Sequence, residues 1–459
     1  MATRKGKLRN RGPLPVQPID RWLAPVQRFM HIEATSGILL MVCAALALAI
    51  ANSPYAKEFA SFWKMPIVLL FNEFTIADTF GHLIINDGLM TIFFFVIGLE
   101  VKREIVHGEL RDPKKALLPI VAALGGMVGP ALVYLGLQWG EPGQRGWAIP
   151  MATDIAFVVG LLALFGNRVP FSLKIFLLTL AIVDDLGAVL VIAFVLTEEI
   201  AFGWLMAAGF GFALTYGLNL VGARKVGVYV VVGAFIWLCF LKAGIHPTVA
   251  GVLLGLLTPA KSLIGSPAFV EILQQTMSKA KRENVPPESM LPSIERLSFA
   301  ARETVAPVHR LETMLHPWVA FLIMPVFALA NAGVALDPSA IREPVALAVA
   351  AGLVLGKPLG ILLASGFAVS LGWTRLPDGV TWRMMVGGAC LAGIGFTMAL
   401  FINTLSFPVS EFPDKEAAGK IGVLAGSLVN GLLGSALLAS AGSAGRSDET
   451  SGSDSPHSH

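Results

Sequence analysis

Leu173-Lys-Ile-Phe-Leu-Leu-Thr-Leu-Ala-Ile-Val-Asp-Asp-Leu-Gly-Ala-Val-Leu-Val-Ile-Ala-Phe-Val-Leu196 is a hydrocarbon run carrying two adjacent carboxylic acids, Asp184 and Asp185, near its middle. A helix needs about 20 such residues to cross a bilayer, and a charge at the bilayer centre costs about 3 kcal/mol on insertion scales. The acidic pair therefore needs a partner or a task. Working outward, the flanking chain repeats the same pattern. Twelve apolar runs alternate with short polar connections: Ala34 to Ala51, Leu83 to Glu100, Ala116 to Leu137, Trp147 to Phe165, Leu173 to Leu196, Ala201 to Val221, Val226 to Leu241, Gly244 to Leu257, Leu315 to Val334, Pro344 to Leu371, Met384 to Leu405 and Lys420 to Ala441. The chain is 55% hydrophobic and 14% charged, with a mean hydropathy of +0.71, which excludes a soluble globular domain and predicts an all-α polytopic membrane protein.

Charge placement orients the chain. With a cytoplasmic N-terminus, 26 of the 34 Lys/Arg residues fall in cytoplasmic segments, so both termini are placed in the cytoplasm. Residues 1–31 and 442–459 read as polar tails around a membrane domain at 32–441. The first run resembles a signal peptide, but thirty residues precede it and eleven runs follow, so it reads as a span. Residues 258–314 form a long cytoplasmic loop with helical periodicity at 269–277 and 294–301, read as an insertion rather than a regulatory element. The outward connection at 52–81 carries a β-like stretch, Met65 to Ile76, and predicts a small hairpin whose edge either pairs with a second copy or is buried against the chain's own helices. Cys43, Cys239 and Cys390 all lie in apolar runs and read as packing residues. The net charge of +3 means little as a total, and no nucleic-acid partner is called for.

The ionisable residues inside the runs are few: Asp87, Asp154, Asp184, Asp185, His246 and Lys357. Two neighbouring carboxylates in a low dielectric cannot both stay ionised cheaply, so a proton or a cation must neutralise one of them. Successive helical residues point about 100° apart, which lets one face a cavity while the other turns to a neighbouring helix and Lys357. A purely structural Asp–Lys bridge accounts for one aspartate and leaves the other, and Asp154, unpaired. Pro150 precedes Thr153 and Asp154 and predicts an interrupted fourth span. Gly393 and Gly395 offer a matching break in the eleventh. Half-helix ends are partly positive at their N-termini and partly negative at their C-termini, so an Asp and a Lys are natural compensators. Paired breaks in two halves point to an inverted-repeat transporter with a midplane site.

Ala152-Thr-Asp-Ile-Ala156, Asp184-Asp-Leu-Gly-Ala188, Ile85-Asn-Asp-Gly-Leu-Met90, Gly98-Leu-Glu-Val-Lys-Arg-Glu104 and Gly356-Lys-Pro-Leu-Gly360, with His316-Pro-Trp318 and Asn331-Ala-Gly333, resemble the NhaA family of Na+/H+ antiporters over residues 32–440. The resemblance implies twelve transmembrane helices, with inverted repeats in spans three to five and ten to twelve and the interrupted fourth and eleventh crossing at the centre. It implies electrogenic exchange of sodium, and lithium, for external protons in an inner membrane, by a homodimer joined through the 52–81 hairpin. Asp185 becomes the main sodium ligand, Asp184 its partner bridging to Lys357, and Thr153 with Asp154 the crossing. No cofactor is called for, since carboxylate and hydroxyl oxygens suit a hard cation.

Glu100, Arg103, Glu104, Glu312 and His316 map onto a cytoplasmic mouth linked in the family to pH activation, and they also read as solvated loop charges. His246 maps onto another position tied to pH response, or is simply hydrogen-bonded structure. Thr313 stands where family members often carry His. Two rival readings are an intramembrane aspartyl enzyme using Asp154 and Asp185, and a passive cation channel.

Overall fold

The computed structural model of the chain describes residues 33 to 450, apart from 72–73, 196, 198–199, 224, 282–285, 337–339 and 341. The tail expected at 1–31 and residues 451–459 lie outside the described residues. Among the described residues each of the twelve apolar runs is mostly helical. In chain order the helices are α1 Glu33–Ala51, α2 Ala56–Trp63, α3 Gly81–His107, α4 Pro113–Gln138, α5 Ile155–Leu164, α6 Phe171–Val195, α7 Phe202–Val221 and α8 Val226–Ala243. They continue as α9 Thr248–Leu257, α10 Ser266–Ala280, α11 Pro287–Glu303, α12 Pro307–Asn331, α13 Pro344–Ser370, α14 Trp382–Ala392, α15 Phe396–Ser406 and α16 Pro413–Thr450. A 3₁₀ segment, Gln144–Met151, precedes α5.

Among the described residues nine helices are long and apolar enough to cross a membrane, or up to eleven if each bent pair is one span. Their outward faces carry side chains such as Phe194, Val221 and Val231, each at least 70% exposed, which only lipid could cover. The chain is a multi-pass membrane protein.

Three expectations change. The eighth run, begun at Gly244 in the sequence, becomes helical only at Thr248 and has ten helical residues. Gly244 takes the left-handed conformation (φ 81°) that ends α8, and Pro247 then opens α9, so His246 sits in a turn rather than inside a span. The C-terminal helix continues past Ala441 to Thr450, where a polar tail was expected. Finally, α1 is followed by α2 turned 118° away from it. The hairpin forms as expected: β1 Pro66–Phe71 pairs antiparallel with β2 Phe74–Thr79, Pro66 opposite Thr79 and Phe71 opposite Phe74. The loop helices α10 and α11 cover the two periodic stretches.

The centre is held by unusually close backbone approach of α4 and α13. A Cβ on Gly125 would stand 2.3 Å from the carbonyl oxygen of Gly360, and one on Gly129 would stand 2.4 Å from that of Gly356. Glycines four apart on each helix thus face each other, the contact by which membrane helices pack without a hydrophobic drive. Inside α13 the turn Gly352–Gly356 widens to a π-helix immediately before Lys357. Such a turn loosens the carbonyl ladder and re-aims the side chain that follows.

Candidate functional site

The fourth run leaves helical geometry at Ala152, whose backbone is extended (φ −78°, ψ 151°), and resumes at Ile155. The eleventh run breaks between α14 and α15 with a 44° bend over Gly393 to Gly395. The two breaks touch, because the amide of Asp154 donates to the carbonyl of Ile394 at 2.7 Å. A Cβ on Gly393 would meet the Asn430 amide at 2.4 Å, so glycine is the residue that fits there.

Four half-helix ends meet at this point, and side chains of matching charge meet them. Asp154 Oδ1 accepts from the Phe157 amide (3.1 Å) at the start of α5, while Oδ2 accepts from the Thr397 amide (3.0 Å) and hydroxyl (2.5 Å) at the start of α15. One carboxylate therefore caps two helix N-termini, where negative charge is favoured. At the opposite ends, Lys357 Nζ donates to the carbonyl of Met151, which closes the 3₁₀ segment. Thr153 Oγ1 lies 2.9 Å from the carbonyl of Ala392, the last residue of α14.

On α6 the two aspartates diverge as their 100° offset requires. Asp184 Oδ2 receives Lys357 Nζ at 2.6 Å and lies 2.7 Å from Thr153 Oγ1, with both ionic side chains wholly buried. Asp185 is 1% exposed, and neither of its carboxylate oxygens has a hydrogen-bond partner. The charges that act on Asp185 are those of Asp184, Asp154 and Glu100, all negative, against Lys357 alone. A buried group with excess negative charge around it and unpaired carboxylate oxygens is built to be neutralised from outside, by a cation or a proton.

Five residues expected at the mouth are not all brought together. Arg103 pairs with Glu312 and with Glu104 (3.0 Å), and Glu100 feels the charge of all three. His316 is exposed, without a polar contact to this group among the described residues; the nearer imidazole is His309, 3.8 Å from Glu312 Oε2. Beside the mouth lies an open cavity of about 680 Å³ bounded by Glu104, His107, Glu109, Asp112, Lys115 and Thr179. Thr179 stands five residues, roughly 7.5 Å of helix, before Asp184. Asp87 and His246 form a separate group, His246 Nε2 lying 3.3 Å from Asp87 Oδ1.

Reading the sequence overlooked Thr397 and Asn430. The Asn430 amide donates to the carbonyls of Leu353 (2.8 Å) and Gly393 (2.9 Å), tying the π-turn before Lys357 to the break in the eleventh run. The available signal was an amide in the middle of the apolar Lys420 to Ala441 run, and for Thr397 a hydroxyl two residues after a glycine break.

Residues 27–438 match the family model described as Na+/H+ antiporter 1. The chain belongs to that family. Among its relatives, the Na(+)/H(+) antiporter NhaA of Rhodopirellula baltica is 48% identical over 437 residues, covering 94% of this chain and 97% of the relative. The NhaA of Rhizobium meliloti is 45% identical over 422 residues (92% and 95%), and NhaA 2 of Vibrio vulnificus 45% over 430 (92% and 93%). The resemblance read from the motifs thus extends over the whole membrane domain, and this is a family of transporters rather than enzymes.

Proposed function

We propose that the chain extrudes sodium, and lithium, in exchange for external protons by alternating access around Asp185 and Asp184. The observation that carries this reading is the unpartnered buried carboxylate of Asp185 beside a lysine-bound Asp184. Sodium binding to Asp185 draws on the oxygens of Asp184 and Thr153 and weakens the grip of Asp184 on Lys357. Proton binding restores that grip and releases the ion. The two ligands are therefore mutually exclusive, and a difference in affinity between inward and outward states is all that coupling requires. More protons entering than sodium ions leaving makes the exchange electrogenic. Asp154 and Lys357 hold the broken ends in place while the charge at the pair changes.

The twelve helical runs are read as twelve spans, with spans three to five and ten to twelve as inverted repeats and the fourth and eleventh crossing. Both termini and the 258–314 loop lie on the cytoplasmic side of an inner membrane, and the Glu100, Arg103, Glu104 and Glu312 cluster gates activity with pH. Everted vesicles loaded with a pH-sensitive dye test the reading. Adding sodium should move protons, and setting a membrane potential should change the rate. Sodium flux with no proton movement would leave a channel instead.

A further inference from the structure

On the hairpin side of the molecule, away from the aspartate pair, a second set of ligand atoms converges. Asp78 lies at the end of β2, and His82 and Asp87 lie on the first turns of α3. His82 Nδ1 is 2.8 Å from Asp78 Oδ2 and 3.6 Å from Asp87 Oδ2, and one donor atom from each of the three side chains lies within 4.8 Å of the others. Asp87 is 1% exposed, and both of its oxygens lack a hydrogen-bond partner. A buried carboxylate left so is costly unless something completes it.

The neighbours do not complete it with charge. The Thr248 amide faces His246 Nδ1 at 3.4 Å, with the Thr248 hydroxyl 2.8 Å away, which leaves the hydrogen of His246 on Nε2, 3.3 Å from Asp87 Oδ1 but without forming a hydrogen bond to it. Asp87 Oδ2 is left 3.6 Å from His82 Nδ1. Zn2+ holds imidazole and carboxylate ligands at about 2.0–2.2 Å, so tetrahedral neighbours stand roughly 3.4 Å apart; the 3.6 Å from His82 Nδ1 to Asp87 Oδ2 is close to that, and the 2.8 Å hydrogen bond from His82 to Asp78 would open to admit the ion. The His82 side chain is 44% exposed, which gives an ion a path in and leaves a fourth position for water. One imidazole and two carboxylates form a borderline donor set that favours zinc over sodium or calcium.

We propose that Asp78, His82 and Asp87 form a Zn2+ site, with His246 beside Asp87, and that the ion fastens the hairpin to α3. The full-length protein, purified in detergent and stripped with chelator, is equilibrated with Zn2+ and gel-filtered. The expectation is about one zinc retained per chain, a raised melting temperature, and at least about tenfold weaker binding in His82→Ala and Asp78→Asn. Co2+ in place of Zn2+ should give the visible absorption of a four-coordinate centre in the wild type and not in the variants. The unmetallated variants should melt like the wild type. Should they fail to fold, His82→Gln and the wild-type Co2+ spectrum decide the matter. Zinc retained equally by wild type and variants reflects surface or tail histidines and overturns the proposal, as does no retained zinc or no Co2+ band.

Discussion

Asp184 and Asp185 are chemically identical and adjacent, yet substitution should affect them in opposite ways. Asp184 neutralises a wholly buried Lys357, so Asp184→Asn strands an ammonium in the core. Breaking one side of a buried pair costs about 3–5 kcal/mol, and a clear fall in melting temperature is expected. Asp185 has no partner to strand, so Asp185→Asn removes an uncompensated charge and should leave the melting temperature equal or higher. In vesicles the same Asp185→Asn protein should lose sodium-driven proton movement by about 100-fold or more, because an amide cannot exchange a cation for a proton. A destabilised Asp185→Asn with normal exchange would exchange the roles of the two residues. Thr397→Val belongs at the same scale. It deletes one of three donors to Asp154 and should cost about 1–3 kcal/mol by leaving that carboxylate partly unsatisfied, read as a lowered melting temperature in detergent.

At the scale of elements, the site depends on how broken helices are held. Asn430→Leu on α16 removes two hydrogen bonds to the carbonyls of Leu353 and Gly393 while keeping the branching and heavy-atom count of the side chain. Two orphaned carbonyls should cost about 2 kcal/mol or more, and the loosened π-turn should displace Lys357, so exchange is expected to fall alongside stability. Unchanged exchange would mean the break is held by its backbone alone. This pattern marks where the sequence was legible. Apolar length located the membrane helices, though not α2, and Pro150 with Gly393 and Gly395 located both breaks, because backbone irregularity has residue-specific causes. The partners at the breaks were legible only in part. Lys357 stood out as a charge in oil, whereas Asn430 and Thr397 act through amide and hydroxyl groups that composition treats as ordinary. The start of α9 was misjudged because hydropathy ignores the left-handed turn at Gly244, and the end of α16 because its Ser/Gly-rich residues read as tail. His316 was assigned to the mouth by motif, and it stands one helical turn beyond Glu312 on α12, exposed and without a polar contact to the cluster among the described residues.

At the scale of the molecule, the hairpin is the element whose own interior contacts least justify it. Two antiparallel strands of six residues are marginal alone in water, and each carries unpaired backbone groups along its outer edge. Met65 and Val68 are more than half exposed there, in a segment too polar at its ends to sit in lipid. Pairing with the same edge of a second copy would satisfy both strands at once, by the two-fold symmetry that most homodimers use. If two copies pair in this way, a charge at the edge opposes it, so Val68→Lys should weaken association by about tenfold or more while leaving exchange per chain intact. Light scattering in detergent and cysteine cross-linking across position 68 read the first effect, and the vesicle assay reads the second. If Val68→Lys associates as fully as the wild type, the hairpin edge joins no second copy, and the hairpin is left as a cover over Asp78, His82 and Asp87.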